Sequence, residues 1–257
     1  MVSPVPSSYQ MGYVALSYLV SVLGSFVALT AAFRIRAQDG SIRAGNSVAA
    51  GLALGGIGVW SMHFIGMVAL KLDAASSYSL WETLVSLVAA VAGSALALAF
   101  VARDPHNPGR IAIAGVVLGM GVVVMHYLGM FGMKIPGFIE WDYGVVAISA
   151  VIAVLAATAA LWLAFHMHSL AARVSAALVM GIAVCSMHYT GMHAAAFICT
   201  GDPAIAPRGF GLFGAAQLPA IVTFVALTTA ALIVVYHVYQ DSNVDLEEHE
   251  PAAPGLR

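Results

Sequence analysis

The sequence predicts an all-α membrane protein with seven transmembrane helices, and three observations lead to this fold class. Hydrophobic residues make up 61% of the 257 residues and charged residues only 9%, against about 25% charged residues in soluble domains. Seven apolar runs are each long enough to cross a bilayer, which takes about 20 residues. A short motif also recurs in alternate runs, which indicates internal repetition.

The composition also excludes other classes of protein. Ten Lys and Arg against twelve Asp and Glu give a net charge of -2, which leaves no basic surface for nucleic acid. Two cysteines cannot form a disulfide framework, and Cys185 and Cys199 would lie about 21 Å apart along a continuous helix. We expect the lipid bilayer to be the main partner, and no nucleic acid.

The apolar runs define the predicted elements in chain order. Short loops rich in Gly, Pro, Asp and Asn separate them. The runs cover residues 10–33, 46–70, 81–102, 111–133, 144–167, 171–197 and 216–239. The chain is thereby divided into one seven-helix domain, residues 1–240, and a short acidic tail, residues 241–257, that we expect to be flexible.

The positive charges predict the orientation of the chain in the membrane. The N-terminal side of the predicted bundle holds three of them: Lys71, Lys134 and Arg208. The opposite side holds seven: Arg34, Arg36, Arg43, Arg103, Arg110, Arg173 and Arg257. Because Lys and Arg accumulate on the cytoplasmic side, the N-terminus is predicted to be outside and the C-terminus inside.

Three copies of one motif lie near the outer ends of helices 2, 4 and 6. They are Met62-His63-Phe64-Ile65-Gly66-Met67, Met125-His126-Tyr127-Leu128-Gly129-Met130 and Met187-His188-Tyr189-Thr190-Gly191-Met192. The odd helices share a weaker Ala/Leu pattern, which composition bias alone could also produce. The simplest interpretation is three helical hairpins, 1–2, 3–4 and 5–6, followed by a final helix. These are parallel repeats around an axis along the membrane normal.

Each motif histidine shares a helical face with residues seven and four positions earlier and four positions later. In all three copies this face reads Gly, Val, His, Met: Gly56, Val59, His63 and Met67; Gly119, Val122, His126 and Met130; Gly181, Val184, His188 and Met192. Intramembrane ionisable residues are functional candidates by default. The alternative is three separate structural histidines with methionines that only fill the core. Three histidines at one depth favour a shared site.

The donor set predicts a metal site of soft, neutral ligands. The main candidates are His63, Met67, His126, Met130, His188 and Met192, and the lesser ones are His193, Met62, Met125 and Met187. Imidazole suits several transition metals, and thioether selects Cu(I), so copper is expected before zinc or haem. The lack of oxygen donors excludes calcium and magnesium. Whether one or two ions bind stays open.

Other polar residues have ordinary interpretations. Cys185 is read as a packing residue. His166, His168 and His237 lie at the cytoplasmic ends of helices, either as interfacial residues or as a second, inner metal or haem site. Trp60, Trp81, Trp141 and Tyr143 fit an outer aromatic belt.

The sequence resembles the MHYT family of bacterial integral membrane domains. Residues Met187 to Met192 contain the namesake motif in full, and the similarity extends over about residues 10–240. The resemblance implies a sensor for oxygen, carbon monoxide or nitric oxide in the bacterial inner membrane. It also implies copper bound by His and Met near the outer, periplasmic face, and cytoplasmic cyclic-di-GMP domains or signalling partners. Phe64 departs from the motif, because it replaces the tyrosine.

Three functions are compatible with the sequence. A copper-dependent gas sensor needs an open metal position and an apolar route to it. A copper transporter needs donors along its whole path, whereas Gly and Val lie below the histidines. A membrane oxidase or haem protein needs two facing histidines, which the repeats offer. No catalytic constellation is identified, so the sequence predicts no enzymatic activity.

Overall fold

The computed structural model describes residues 4–248, and within them seven helices are long and apolar enough to cross a membrane. Apart from the end of α7, their ends fall within about one helical turn of the predicted runs, so the predicted fold class is confirmed. The helices are α1 Met11–Ala32, α2 Ala44–Ala69, α3 Leu80–Ala102, α4 Pro108–Gly132, α5 Tyr143–His166, α6 Leu170–His193 and α7 Leu218–Glu248.

Polar loop residues start three of these helices by capping free backbone N–H groups. Asn107 Oδ1 accepts from Arg110 N at 3.0 Å, and Pro108 occupies the first turn of α4, where no N–H is needed. Asp142 accepts from two backbone amides at the start of α5. Ser169 accepts from Ala172 N at 3.1 Å at the start of α6.

The first six helices form a ring in chain order, which α1 closes by packing against both α2 and α6. The ring contains the three predicted hairpins. Helix α7 packs against α2 from outside the ring. As a result, 83% of the most apolar stretch of α2 is buried, against 39% for α4 and 28% for α6. The three repeats are therefore similar in sequence but not in environment.

Within residues 4–248, seven short strands, which the sequence did not predict, pair at the motif end of the bundle. They precede α1 or lie in the loops that follow α2, α4 and α6, and all their pairings are antiparallel. Segments this short carry no readable periodicity. The pairs are β1 Ser7–Tyr9 with β2 Leu70–Leu72, β3 Ser77–Ser79 with β4 Met133–Lys134 and β7 Leu212–Gly214, and β5 Gly137–Trp141 with β6 Ala195–Cys199.

The middle of α2, Leu52–Ser61, is π-helical, and this changes the glycine register. A Cβ at Gly119 would lie 2.6 Å from Val154 Cα of α5, whereas one at Gly56 would meet only side chains, Thr229 of α7 at 3.3 Å and Val91 of α3 at 3.7 Å. In α2 it is Gly55 that lies against the neighbouring backbone, with Val91 Cα of α3 2.8 Å from its Cβ position. The predicted common glycine face is therefore wrong for the first repeat.

The predicted domain boundary at residue 240 does not coincide with the end of a helix. Helix α7 continues to Glu248, so residues 241–248 of the predicted tail are helical. The rest of that tail, residues 249–257, lies outside the described residues.

Candidate metal centre

The structure brings the three motif histidines together on the axis of the helix ring. The Nδ1 atom of His63 lies 3.0 Å from that of His188 and 3.1 Å from that of His126, and the remaining pair is 3.3 Å apart. All three side chains are at most 1% exposed. Three helices far apart in sequence thus contribute one nitrogen each to a single point.

Each imidazole rests on the glycine of another copy of the motif. A Cβ on any of these glycines would overlap the facing histidine ring, with Nε2 as the nearest atom. The motif therefore needs glycine three residues after histidine, because a side chain there would occupy the place of a ring. The pairs run in one direction around the axis: His63 on Gly129, His126 on Gly191 and His188 on Gly66.

The polar atoms of the triad favour a cation at its centre. A neutral imidazole nitrogen offers either one N–H or one lone pair, so three Nδ1 atoms in a triangle cannot all be satisfied by one another. The Nε2 atoms have no hydrogen-bond partner among the described residues, and that of His126 faces the backbone of Gly191. Buried polar atoms that lack a matching partner are costly, and a cation at the centre of the triangle would accept the lone pairs of all three Nδ1 atoms at once.

The size of the triangle fits a transition metal. With edges of 3.0, 3.1 and 3.3 Å, its centre lies about 1.8 Å from each corner, against metal–nitrogen bonds of about 2.0–2.1 Å. An outward shift of about 0.2 Å per ring would therefore give normal bond lengths. Within the described residues, these three are the group of His, Cys, Asp and Glu side chains whose donor atoms approach closely enough to hold an ion.

The other predicted donors surround the triad without a measured contact to it. The six motif methionines are all buried: Met62, Met67, Met125, Met130, Met187 and Met192. His193, in contrast, is exposed at the end of α6 and does not belong to the group of three. The methionine ligands therefore remain a prediction, and His193 is better placed for the membrane surface.

An aromatic shell encloses the histidines. The residue after each histidine, Phe64, Tyr127 or Tyr189, packs edge-on against its ring at 4.7–4.8 Å between centroids. A second ring then packs against each of these, and it always comes two residues before an odd helix: Tyr78, Trp141 and Tyr9, respectively. Burial raises the pKa of Tyr9 to about 12, so its hydroxyl stays neutral. The sequence signal for this second ring is an aromatic residue two positions before each odd helix.

Three buried serines connect this shell to the odd helices. Ser17, Ser86 and Ser149 are each the seventh residue of their helix, and each Oγ donates to the carbonyl three residues earlier. With its proton used in this way, each serine accepts from a donor on a motif helix. The donors are Tyr189 Oη to Ser17 at 2.9 Å, Tyr127 Oη to Ser149 at 2.7 Å and Trp60 Nε1 to Ser86 at 3.0 Å.

Trp60 therefore does not belong to the predicted aromatic belt, because it is fully buried. Trp81 and Tyr143 are exposed, as a belt position requires. The hydrogen bond from Trp60 also explains how the first repeat keeps a donor to its serine without the motif tyrosine. Its indole N–H takes the place of the missing hydroxyl.

A small apolar cavity of about 40 Å³ lies one helical turn below the histidines. Val59, Val122 and Val184, which precede the three histidines by four residues, all line it, together with alanines of α5 and Met187. A space of about 10–15 Å³ on this measure is enough for one water molecule. The cavity is therefore large enough for a small apolar molecule about one helical turn below the triad.

The remaining histidines and cysteines do not form a second cluster of this kind among residues 4–248. His166 stacks on Trp162 and meets His106 edge-on at 5.3 Å, while His168 packs against Phe33. Both cysteines are free, and Cys199 Sγ donates to the carbonyl oxygens of Gly201 in its own loop and of Pro136 in the loop between α4 and α5. His166 and His168, at the end of the bundle opposite the motifs, fit the interfacial interpretation.

Comparison with known proteins finds one family profile repeated along the chain. Residues 1–45, 56–114 and 119–177 match the MHYT profile, described as "Bacterial signalling protein N terminal repeat". No solved structure matches the chain significantly. The second and third matched ranges begin inside α2 and α4, so the profile's unit joins half of a motif helix to the odd helix that follows.

Three curated relatives are much longer than this chain. The bifunctional diguanylate cyclase/cyclic di-GMP phosphodiesterase MucR of Pseudomonas aeruginosa is 37% identical over 88% of the chain and 34% of its own length. The signalling protein YkoW of Bacillus subtilis is 29% identical, and the cyclic di-GMP phosphodiesterase NbdA of P. aeruginosa is 30% identical. These two matches cover 74% and 73% of the chain and 24% of each relative. The chain thus spans about a third or less of the relatives it matches, and it belongs to the MHYT family of bacterial membrane signalling domains.

Proposed function

We propose that this chain is a metal-dependent sensor domain whose three motif histidines bind one copper ion. The observation that carries the proposal is the buried triangle of Nδ1 atoms, 3.0–3.3 Å apart. Copper is favoured over zinc because a thioether lies one helical turn from each histidine, at Met67, Met130 and Met192, and thioethers select Cu(I). In addition, no carboxylate belongs to the described donor cluster.

The residues of the site hold the ion and restrict what reaches it. Three imidazoles fix one plane of ligands, and the glycines beneath the rings hold them in place. When bound, copper supplies a redox-active centre and an open coordination position for a small ligand. The valine-lined cavity is apolar, and apolar cavities stay dry and accept small apolar molecules. This supports oxygen, carbon monoxide or nitric oxide as the sensed molecule.

The charge distribution supports a site on the periplasmic side of the bacterial inner membrane. The Arg-rich ends of the helices belong in the cytoplasm by the positive-inside rule, which leaves the N-terminus and the motif ends outside and the C-terminus inside. Two of the relatives, MucR and NbdA, are named as cyclic-di-GMP enzymes. We infer that a cytoplasmic signalling domain or protein receives the signal.

Transport and haem binding are less well supported. A transport path for copper needs donors below the triad, where valines and alanines instead line the cavity. Two axial haem ligands lie about 4 Å apart, twice a metal–nitrogen bond of about 2.0 Å, whereas the Nδ1 atoms are closer together. The cavity beside them is also too small for a porphyrin.

Metal analysis of the protein in lipid nanodiscs, after anaerobic loading with Cu(I), tests the proposal. We expect about one copper per chain, lost in each of the variants His63→Ala, His126→Ala and His188→Ala, because three ligands act together. His193→Ala is the matched control, since His193 is an exposed histidine of α6, and it should keep its copper. Full copper content in the triple variant, or stoichiometric haem iron in the wild type, would contradict the site. Sustained copper flux into proteoliposomes would favour the transporter.

A further inference from the structure

The triad is buried on all sides, so an ion needs a route to it from the outer solution. A pocket of about 390 Å³ opens at the motif end of the bundle, between the loop that joins α2 to α3 and the start of α7. Lys71 and Asp73 at its rim are exposed, while Met67 and Met133 in its lining are 2% and 5% exposed. The pocket therefore extends from solvent down to two buried thioethers.

The two methionines come from two different repeats. Met67 lies one turn outward from His63 on α2, and Met133 follows α4 directly, seven residues after His126. Met133 is not part of the repeated motif. Its backbone pairs with Tyr78 in the strand pair β3–β4, and the Tyr78 ring, stacked on Phe213 at 5.9 Å, also lines the pocket. The small sheet thus holds Met133 at the pocket floor.

We propose that this pocket is the route by which a soft monovalent cation, Cu(I), reaches the histidines, with Met133 as its first buried ligand and Met67 as the next. This rests on the proposed function. Thioethers are neutral and bind Cu(I) in preference to the hard cations of the outer solution. The two methionines of the pocket therefore select Cu(I) before it reaches the histidines. At each step a thioether displaces the ligand that the ion carried, and the copper keeps its charge and oxidation state.

The alternative role of Met133 is packing, since it belongs to the hydrophobic core. The substitution Met133→Leu separates the two roles, because Leu conserves volume and removes the sulfur. Met120→Leu is the matched control. Met120 also lies on α4, but it is 45% exposed on the outer surface of the helix.

The experiment measures the rate of Cu(I) transfer from a coloured chelator complex to the apoprotein in nanodiscs, followed by the final copper content. We expect Met133→Leu to load about tenfold more slowly, a barrier change of about 1.4 kcal/mol, and to reach the wild-type content. Met120→Leu should load at the wild-type rate. A second variant, Ala215→Trp, narrows the pocket from the α7 side and should also slow loading without changing the content.

Three results would overturn the route. Wild-type loading rates in both Met133→Leu and Ala215→Trp would mean that copper enters elsewhere, while the metal site itself would stand. A lower final copper content in Met133→Leu would make Met133 a ligand of the resting site instead. If the wild-type protein takes up no copper under any condition, the metal site fails, and the route fails with it.

Discussion

The first copy of the motif, on α2, and the copies on α4 and α6 hold equivalent histidines in different surroundings. Helices α4 and α6 are regular and present one side to the surface of the bundle, whereas α2 is π-helical over Leu52–Ser61 and covered by α7. In α4 and α6 a tyrosine hydroxyl reaches a serine of an odd helix, and in α2 the indole of Trp60 does so. Each motif helix therefore donates a side-chain hydrogen bond to a serine of an odd helix, although the donating residue is tyrosine in two copies and tryptophan in one.

The parts that do not differ are the histidines and the glycines on which they rest. The Nδ1 distances agree within 0.3 Å around the triangle, from 3.0 to 3.3 Å, despite the π-helix in α2. This contrast separates the residues whose identity the metal site requires from those whose identity depends on local packing. Substitutions in matched positions of the three copies can test that division.

The largest effect is expected at the motif glycines. Gly66→Ala, Gly129→Ala and Gly191→Ala each place a Cβ where an imidazole lies, so each should abolish copper binding, and all three should do so equally. Metal content and thermal unfolding of the three variants check this. One variant that kept its copper would show that the nested arrangement of rings and glycines is not required in that copy.

A medium effect is expected at the glycines seven residues before the histidines, and here the copies should differ. Gly119→Ala collides with the backbone of α5 at Val154 and should destabilise the protein by about 1–3 kcal/mol, the usual range for overpacking. Gly56→Ala meets no neighbouring backbone, only the side chains of Thr229 and Val91, and should have a smaller effect. Denaturant or thermal unfolding in matched lipid measures both. Equal losses would argue against the shifted register of α2.

The smallest effects are expected at the aromatic residues that follow the histidines. Tyr127→Phe and Tyr189→Phe each remove one donor to a buried serine and should lose about 0.5–1.5 kcal/mol of stability. Phe64→Tyr should gain nothing, because Trp60 already donates to Ser86, the equivalent serine. Thermal unfolding of the three variants, all retaining copper, provides the measurement. A stabilising Phe64→Tyr would mean that the serine is still available in the first copy.

Much of the fold and part of the site were predictable from the sequence. The apolar runs predicted all seven helices because the thickness of a bilayer fixes their length, and the motif indicated one depth for His63, His126 and His188. The nesting of each ring on the glycine of another copy was not predictable, because it depends on how three helices meet. The strands were too short to show a pattern, and the π-helical stretch of α2 moved Gly56 away from its expected neighbour.

Trp60 is the clearest case of a residue that the sequence alone misplaces. Its position near the outer end of a membrane helix is typical of an interfacial belt, yet its N–H is used inside the bundle. The serines give too weak a sequence signal to be predicted. Ser17, Ser86 and Ser149 are each the seventh residue of their helix, but a single small polar residue in an apolar run does not by itself indicate a hydrogen bond to another helix.

The nested rings have a consequence for how the repeat array can change in evolution. In open solenoids each repeat contacts only its neighbours, so copies can be added or lost at an end. Here the ring of His188 lies on Gly66 of the first copy, so the last repeat is joined to the first and the array has no free end. A fourth copy would find no place in the circle, and with two copies one imidazole would lack the glycine beneath it. The copy number is therefore fixed at three by geometry, although nothing in the linear sequence prevents further duplication.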